Sequence, residues 1–287
     1  MQYLKFSALL VVTVLLLDNC LKAQNLHVDL IAGAANYQGD LQDKAFTLKQ
    51  GHFAGGIGLS YDLTDRFSLR LGVLSGTISG NDQFGRNKIR NLNFTSEIIE
   101  ANAGIEYYLT QFFGDHPLTP YVYLGVALFH FDPFTNDSLG NKYYLKPLST
   151  EGEGFVTGKR NYNLTQLSVP LGGGVKFLLS DRISISAELI FRKLFTDYLD
   201  DVSDNYVDQS LLLANRGAKA VELAYRSGEL KAGSPVYPEG GRKRGSVRNK
   251  DWYYFTGITF SFRLGRGAHQ GIRHGSYLPY QCPGNVR

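Results

Sequence analysis

The most constraining feature of the chain is the two-residue rhythm of its last apolar stretch. Trp252, Tyr254, Thr256, Ile258, Phe260, Phe262 and Leu264 alternate with Tyr253, Phe255, Gly257, Thr259, Ser261 and Arg263. A period of two sends successive side chains to opposite faces of a strand. One face here is apolar, and the other mixes small, aromatic and basic groups. The pattern recurs with Ile183, Ile185, Ala187, Leu189 and Phe191 against Ser184, Ser186, Glu188 and Arg192. It recurs again with Ile99, Ala101, Ala103, Ile105 and Tyr107 against Glu100, Asn102, Gly104 and Glu106. Read this way, the chain holds eight candidate strands near 26–37, 53–62, 66–77, 97–109, 119–131, 164–179, 183–196 and 252–264, and almost nothing that reads as a core helix.

The connections between these strands alternate, at 15, 3, 19, 9, 32, 3 and 55 residues. A soluble sandwich has no reason to alternate long and short links. A transmembrane barrel does, because its periplasmic turns are short and its extracellular loops long. Leu63-Thr64-Asp65 and Ser180-Asp181-Arg182 read as two of the turns. Composition agrees: 18 Tyr, 18 Phe and 32 Gly at a mean hydropathy of −0.18 exclude both a disordered chain and a helical membrane protein. The expected fold is an all-β, eight-stranded antiparallel transmembrane β-barrel over residues 24–264, with long extracellular loops at 38–52, 78–96, 132–163 and 197–251. An even strand count leaves both chain ends in the periplasm. Pro170, which lacks an N–H for the ladder, is expected to sit in a bulge with Gly172, Gly173 and Gly174.

The non-lipid faces carry charges of both signs. Asp29, Glu100, Glu106 and Glu188 oppose Arg70, Lys176, Arg192 and Arg263. Eight strands enclose a space that side chains fill, so the expected interior is a neutral, salt-bridged plug without an open pore. Gly257, Phe260 and Phe262 match part of the C-terminal signal of outer-membrane barrels, Gly-x-x-aromatic-x-aromatic, with Phe255 where a polar residue is usual.

At the start, Lys5 precedes an apolar run from Phe6 to Leu17, and Ala23 offers a small residue before a cut. This reads as a secretory signal peptide over 1–23. Cys20 would leave with it, and Cys282 would remain as the one cysteine of an exported chain. Such a cysteine is a free thiol or an intermolecular link. It lies in a periplasmic tail, 265–287, that ends in Tyr280-Gln281-Cys282-Pro283 and four further residues.

The longest loop is no low-complexity linker. It opens with Asp197, Asp200, Asp201 and Asp204, continues through a helical stretch near 206–226 and reaches the basic Arg242-Lys243-Arg244. The four aspartates could gather calcium, yet they lack the spacing and glycine of an EF-hand loop, and helix capping with local ion pairs is the expected role. The basic run could touch lipopolysaccharide phosphates, although a solvated face is its simpler reading. Catalysis by a lipid-hydrolysing barrel would need a serine beside a histidine. His130 and His27 have no serine partner in view, whereas His52 could meet Ser79 or Ser138 through the loops. Zinc-ligand spacing, a phosphate-cradling glycine loop and nucleic-acid motifs are absent from the sequence, and no cofactor is expected.

Five segments carry a family resemblance: Asn36-Tyr37-Gln38-Gly39-Asp40-Leu41, Phe129-His130-Phe131-Asp132-Pro133, the run Leu145 to Gly154, the aspartates of 197–204, and Asp251-Trp252-Tyr253. Together they resemble the PorG-like outer-membrane barrels of Bacteroidetes, a component of the type IX secretion system. Glu153 departs from the pattern, standing where a Gln is expected. The resemblance implies a non-enzymatic part in secretion and gliding motility that binds a periplasmic ring built from a lipoprotein and its partner. The tail, with Tyr280, Cys282 and Pro283, would supply the contact. The competing expectation is a passive small barrel serving adhesion or membrane integrity.

Overall fold

The computed structural model describes residues 25–42, 47, 50–110, 118–247 and 250–265. Its strands are β1 (Leu26–Gln38), β2 (Gly51–Asp62), β3 (Phe67–Asn81), β4 (Asn93–Tyr108), β5 (Leu118–Asn136), β6 (Lys142–Tyr144), β7 (Thr165–Leu178), β8 (Ile183–Leu194) and β9 (Trp252–Arg263). Every pairing is antiparallel. The order runs β4-β3-β2-β1-β9-β8-β7-β5, and a β4–β5 pairing closes the ring into an eight-stranded barrel. The short β6 stands outside that ring, paired only with the tip of β5. Helices α1 (Gln209–Arg216) and α2 (Ala218–Ala224) lie in the longest loop.

Each stave exposes apolar side chains to the outside, among them Leu30, Ile57, Leu71, Ile99, Leu124, Leu167, Ile183 and Phe260. A continuous belt of this kind is untenable in water. Inside, by contrast, Asp29, Arg70, Glu100, Glu106, Lys176, Glu188, Arg192 and Arg263 are all buried. Apolar outside and polar inside is the arrangement that a hydrocarbon solvent selects, and closure satisfies every backbone group that lipid cannot. The protein is an outer-membrane β-barrel. Among the described residues no helix is long and apolar enough to cross a membrane.

Three staves outrun the sequence-based limits. β3 continues to Asn81, β4 starts at Asn93 and β5 reaches Asn136, so one side of the barrel stands taller on the extracellular side. The periodicity fades there because these tips meet loops, and neither face contacts lipid. Pro170 is also a correction. The β5–β7 ladder passes from Leu124↔Leu171 to Ala127↔Ser168 with its register unchanged. No bulge forms: the missing N–H is accommodated by a gap in pairing opposite Gly125 and Val126. The register shift lies elsewhere, between Gly51 and Ala54 on β2. Where β9 meets β1, Gly33 pairs with Gly257. A Cβ on Gly257 would lie 2.6 Å from Cζ of Phe255 and 2.5 Å from the Ala32 carbonyl oxygen, so the missing side chains let that ring lie across the seam.

Candidate functional site

The lumen is filled by two groups of ion pairs. Arg70 grips Glu188 with two guanidinium nitrogens, at 2.6 and 2.9 Å, and reaches Glu106 at 3.2 Å. Lys176 lies 2.7 Å from the other Glu106 oxygen and donates to the Tyr108 hydroxyl at 2.9 Å. Arg192 holds Glu100 at 3.1 Å through Nε and Nη2. Hydroxyls complete the carboxylate shells: Tyr121 donates to Glu188 at 2.7 Å, Thr259 at 3.2 Å, and Tyr253 donates to Glu100. Six of the eight expected interior charges are thus brought together. The other two are not paired as expected. Arg263 faces Asp62 at 3.6 Å, an acid that also meets His27 at 2.8 Å, while Asp29 makes no ion pair among the described residues. Asp62 ends its strand, where sequence alone does not say which way the side chain turns. Stripping ions of water costs several kcal/mol each unless partners replace it. This density of partners is what makes a buried, charged lumen tolerable.

Above the ions sits an aromatic layer. Phe129 and Phe131 stack at 5.5 Å, Phe131 lies parallel to Tyr162, and Tyr162 to Tyr198 at 4.9 Å. Tyr37 meets Phe94 edge-on at 4.8 Å. Rings so placed bury large area and favour these offset and edge geometries. They stopper the barrel between the ion network and the loops.

The loops form an ordered cap over this stopper, and all five resemblance segments meet in it or directly beneath it. The Tyr37 hydroxyl faces Asp200 and Asp251, the latter at 3.2 Å. Asp251 in turn accepts from the Leu199 amide at 3.0 Å. Glu151 is the second hub: it accepts from the amides of Ser203 and Asp204 at 3.0 and 2.8 Å and pairs with Arg244 at 2.9 Å. Asp201, in a left-handed backbone conformation that Asp tolerates better than most residues, accepts from Thr150 at 2.6 Å and Tyr162 at 2.8 Å. Phe131 brings the remaining segment in through its stack on Tyr162.

The aspartates therefore divide. Asp204 makes an ion pair, but with Lys159 of the loop 132–163 at 3.0 Å rather than a local one, and Asp197 takes a hydrogen bond from Ser203 at 2.8 Å. None of the four caps a helix; Asp208 caps α1 through the Leu211 amide. Asp197, Asp200 and Asp201 are buried in the same cap as Glu151, Glu153 and Asp251, with Arg244 paired to Glu151 and Arg90 acting on Asp200. Burial pushes Asp197 up to about 7 and Asp201 to about 6, although Arg244 opposes the latter. Burial, reinforced by Asp201 and Glu151, pushes Glu153 up to about 8. Asp200 and Asp251 are raised as well, chiefly by burial. Among the described residues no group of three His, Cys, Asp or Glu could hold a metal ion.

His52 and Ser79 do meet, with Nε2 and Oγ 2.7 Å apart at the extracellular ends of β2 and β3. Among the described residues no carboxylate orients the other ring nitrogen, so the pair lacks the third group that tunes a hydrolytic dyad. The residues 1–23 read as a signal peptide, and Tyr280, Cys282 and Pro283 of the tail, lie outside the described residues.

Comparison with solved structures returns small outer-membrane barrels. Neisserial surface protein A is 11% identical, with 83% of this chain and 96% of that chain covered at a TM-score of 0.39. The outer membrane protein OprG from Pseudomonas aeruginosa is 10% identical over 84% and 97% of the two chains, at 0.38. Ail, the attachment invasion locus protein of Yersinia pestis, is 9% identical over 83% and 98%, at 0.37. The architecture itself is read from this chain's own ladder. No curated protein matches the chain. The model of a domain of unknown function, DUF6089, matches residues 6–217, most of the chain, and the chain belongs to that family.

Proposed function

We propose that this barrel is a non-enzymatic structural part of the type IX secretion machinery. In this reading it is held in the outer membrane and binds a periplasmic lipoprotein ring through the tail 265–287, with Tyr280, Cys282 and Pro283 in the contact. The observation that supports a scaffold is the convergence of the five resemblance segments on one buried cap node, above a lumen filled with ion pairs. A barrel filled with ion pairs beneath an elaborate, hydrogen-bonded cap is suited to holding other parts in place and unsuited to conducting solutes. The link to secretion rests on the resemblance of those segments.

The test is affinity capture of the full-length protein from its own outer membranes, with and without reductant, beside a variant lacking 265–287 and a Cys282→Ser variant. Recovery of a periplasmic lipoprotein with the wild type, and its loss on removing the tail, is the expected result. A reductant-sensitive complex lost in Cys282→Ser would make the contact covalent. Equal recovery without the tail would refute the tail as the contact. The second reading, a passive barrel for adhesion or membrane integrity, is favoured by the cap standing on the extracellular side. It predicts that changes in 132–163 and 197–251, rather than in the tail, abolish function.

A further inference from the structure

Beside the cap runs an open cleft of about 1370 Å³ whose lining is strongly cationic. Of its acids, Asp82 is consumed by Arg90, which grips both its oxygens at 2.7 and 2.8 Å, and Asp40 accepts from the Ser246 amide at 2.6 Å. Arg90 also donates to the carbonyls of Asp40 and Arg244, so it serves as a strut. Lys193, Arg242, Lys243 and Lys250 remain exposed along the cleft, and no carboxylate among the described residues forms an ion pair with them. Four cations from two sides of one cleft form a focused positive field.

The position of the cleft identifies what it faces. Lys193 and Trp252 pair across β8 and β9, and by strand parity both point outward, on the face that lower down carries Ile258, Phe260 and Phe262. From Leu264 to Trp252 the strand climbs roughly 30 Å along a tilted barrel axis. The apolar band of such barrels is ~25 Å tall and is flanked by aromatic girdles. Trp252 therefore stands at the extracellular edge of the bilayer, and the cleft opens where outer-leaflet headgroups lie. Ile89 on the cleft wall is exposed, which suits a ligand that is anionic at one end and apolar at the other.

We propose that this cleft binds the phosphates of an outer-leaflet phosphorylated glycolipid headgroup of the lipid A type. Lys193 and Trp252 sit at the bilayer edge, and Arg242, Lys243 and Lys250 reach the phosphates from the loop above. The inference is independent of the secretion reading, because it concerns the opposite side of the membrane from the tail.

Trp252 is the only tryptophan in the chain and lines the cleft, so its fluorescence reports occupancy. The full chain in detergent micelles is titrated with bisphosphorylated lipid A, with the same lipid after removal of its phosphates, and with inorganic phosphate. A saturable change with the bisphosphorylated lipid alone is expected. Arg242→Ser/Lys243→Ser/Lys250→Ser should weaken it at least ~10-fold, because each removed cation takes away attraction to the anionic headgroup. Arg160→Ser/Lys231→Ser, two exposed cations away from the cleft, should leave it unchanged. Heat-dependent gel migration verifies that each variant is a folded barrel. Unchanged affinity in the cleft variant, equal loss in the remote variant, or the same response to dephosphorylated lipid would overturn the proposal. An equal response to inorganic phosphate would overturn the lipid as its source.

Discussion

The cap makes a sharp prediction at Glu153. Its side chain is almost fully buried: one oxygen accepts from the Glu151 amide at 3.2 Å, and the other has no hydrogen-bond partner among the described residues. Burial, with the negative charges of Asp201 and Glu151 close by, holds the proton on this carboxyl until about pH 8, against 4.5 ordinarily. A protonated Glu is nearly isosteric with Gln, the residue expected at this point of the sequence pattern. Between about 4.5 and 8 the closed cap keeps a proton that an opened cap has lost. Closure is therefore fully favoured below the lower value, and it weakens with rising pH by up to ~1.4 kcal/mol per pH unit. The weakening levels off once the closed form also ionises, near the upper value. Glu153→Gln removes that proton from the balance. The assay is amide hydrogen exchange of segments 149–156 and 199–206, corrected for the intrinsic pH dependence of exchange. Wild-type protection should fall with pH, and the variant's profile should be shallower by up to one proton, about tenfold per pH unit. The contrast should extend across the window from about 4.5 to 8, because Asp197 and Asp201 titrate in both proteins and cancel in the comparison. Parallel profiles, or a wild-type cap that tightens with pH, would refute a neutral Glu153.

Two further predictions concern the barrel itself. Arg70→Met strips Glu188 of its two-pronged partner and should cost ~3–5 kcal/mol in urea unfolding from micelles, with Arg70→Met/Glu188→Met recovering much of it; a single-variant cost below ~1 kcal/mol would mean a wet lumen. Phe129→Ala opens a void where a fully buried ring stacks on Phe131, and should cost ~3–5 kcal/mol in the same assay while leaving the lipid-facing belt untouched.

How much of this could be read in the sequence follows from which contacts are local. Alternation is local, and in a barrel it is enforced on every stave by two unlike surroundings, so β9 and β8 were legible to within two residues. The inward charges were legible for the same reason, because an ion on a lipid-facing position is expensive. Their pairing was not: whether Arg263 meets Asp29 or Asp62 depends on register and side-chain reach. The cap was the least legible part. Tyr37 and Asp200 are 163 positions apart, and Tyr37 and Asp251 are 214 apart, so no window reveals that these conspicuous segments form one node. The hydroxyls of Tyr108, Tyr121 and Tyr253 were invisible as network members because tyrosine reads equally well as an apolar ring. The cleft needed Lys193 from a strand and Arg242, Lys243 and Lys250 from a loop, which only the closed structure places together.

Lumen and cap solve the same problem in opposite ways. Inside the barrel, acids are matched by bases. In the cap, Asp197, Asp200, Asp201, Glu151, Glu153 and Asp251 outnumber the nearby cations Arg244 and Arg90, and hydroxyls, amides and retained protons take the place of the missing ones. The cations are instead at the edge, and they are felt within: Lys250 lowers the proton affinity of Asp197 against its burial, and Lys243 that of Asp40. Such coupling is reciprocal. An anion that neutralises Lys250 and Lys243 must strengthen the hold of Asp197 and Asp40 on their protons, so anion binding takes up protons. Relative to Asp197→Asn, affinity for bisphosphorylated lipid A should then fall as pH rises from 6 to 8 through the Asp197 value of about 7, a comparison in which the ionisation of the lipid's own phosphates cancels. The variant removes the Asp197 proton and leaves the cleft's own cations intact. A wild-type to variant affinity ratio that does not change with pH would show that cap and cleft are electrostatically separate, and that the unpaired acids serve only to hold the loops closed.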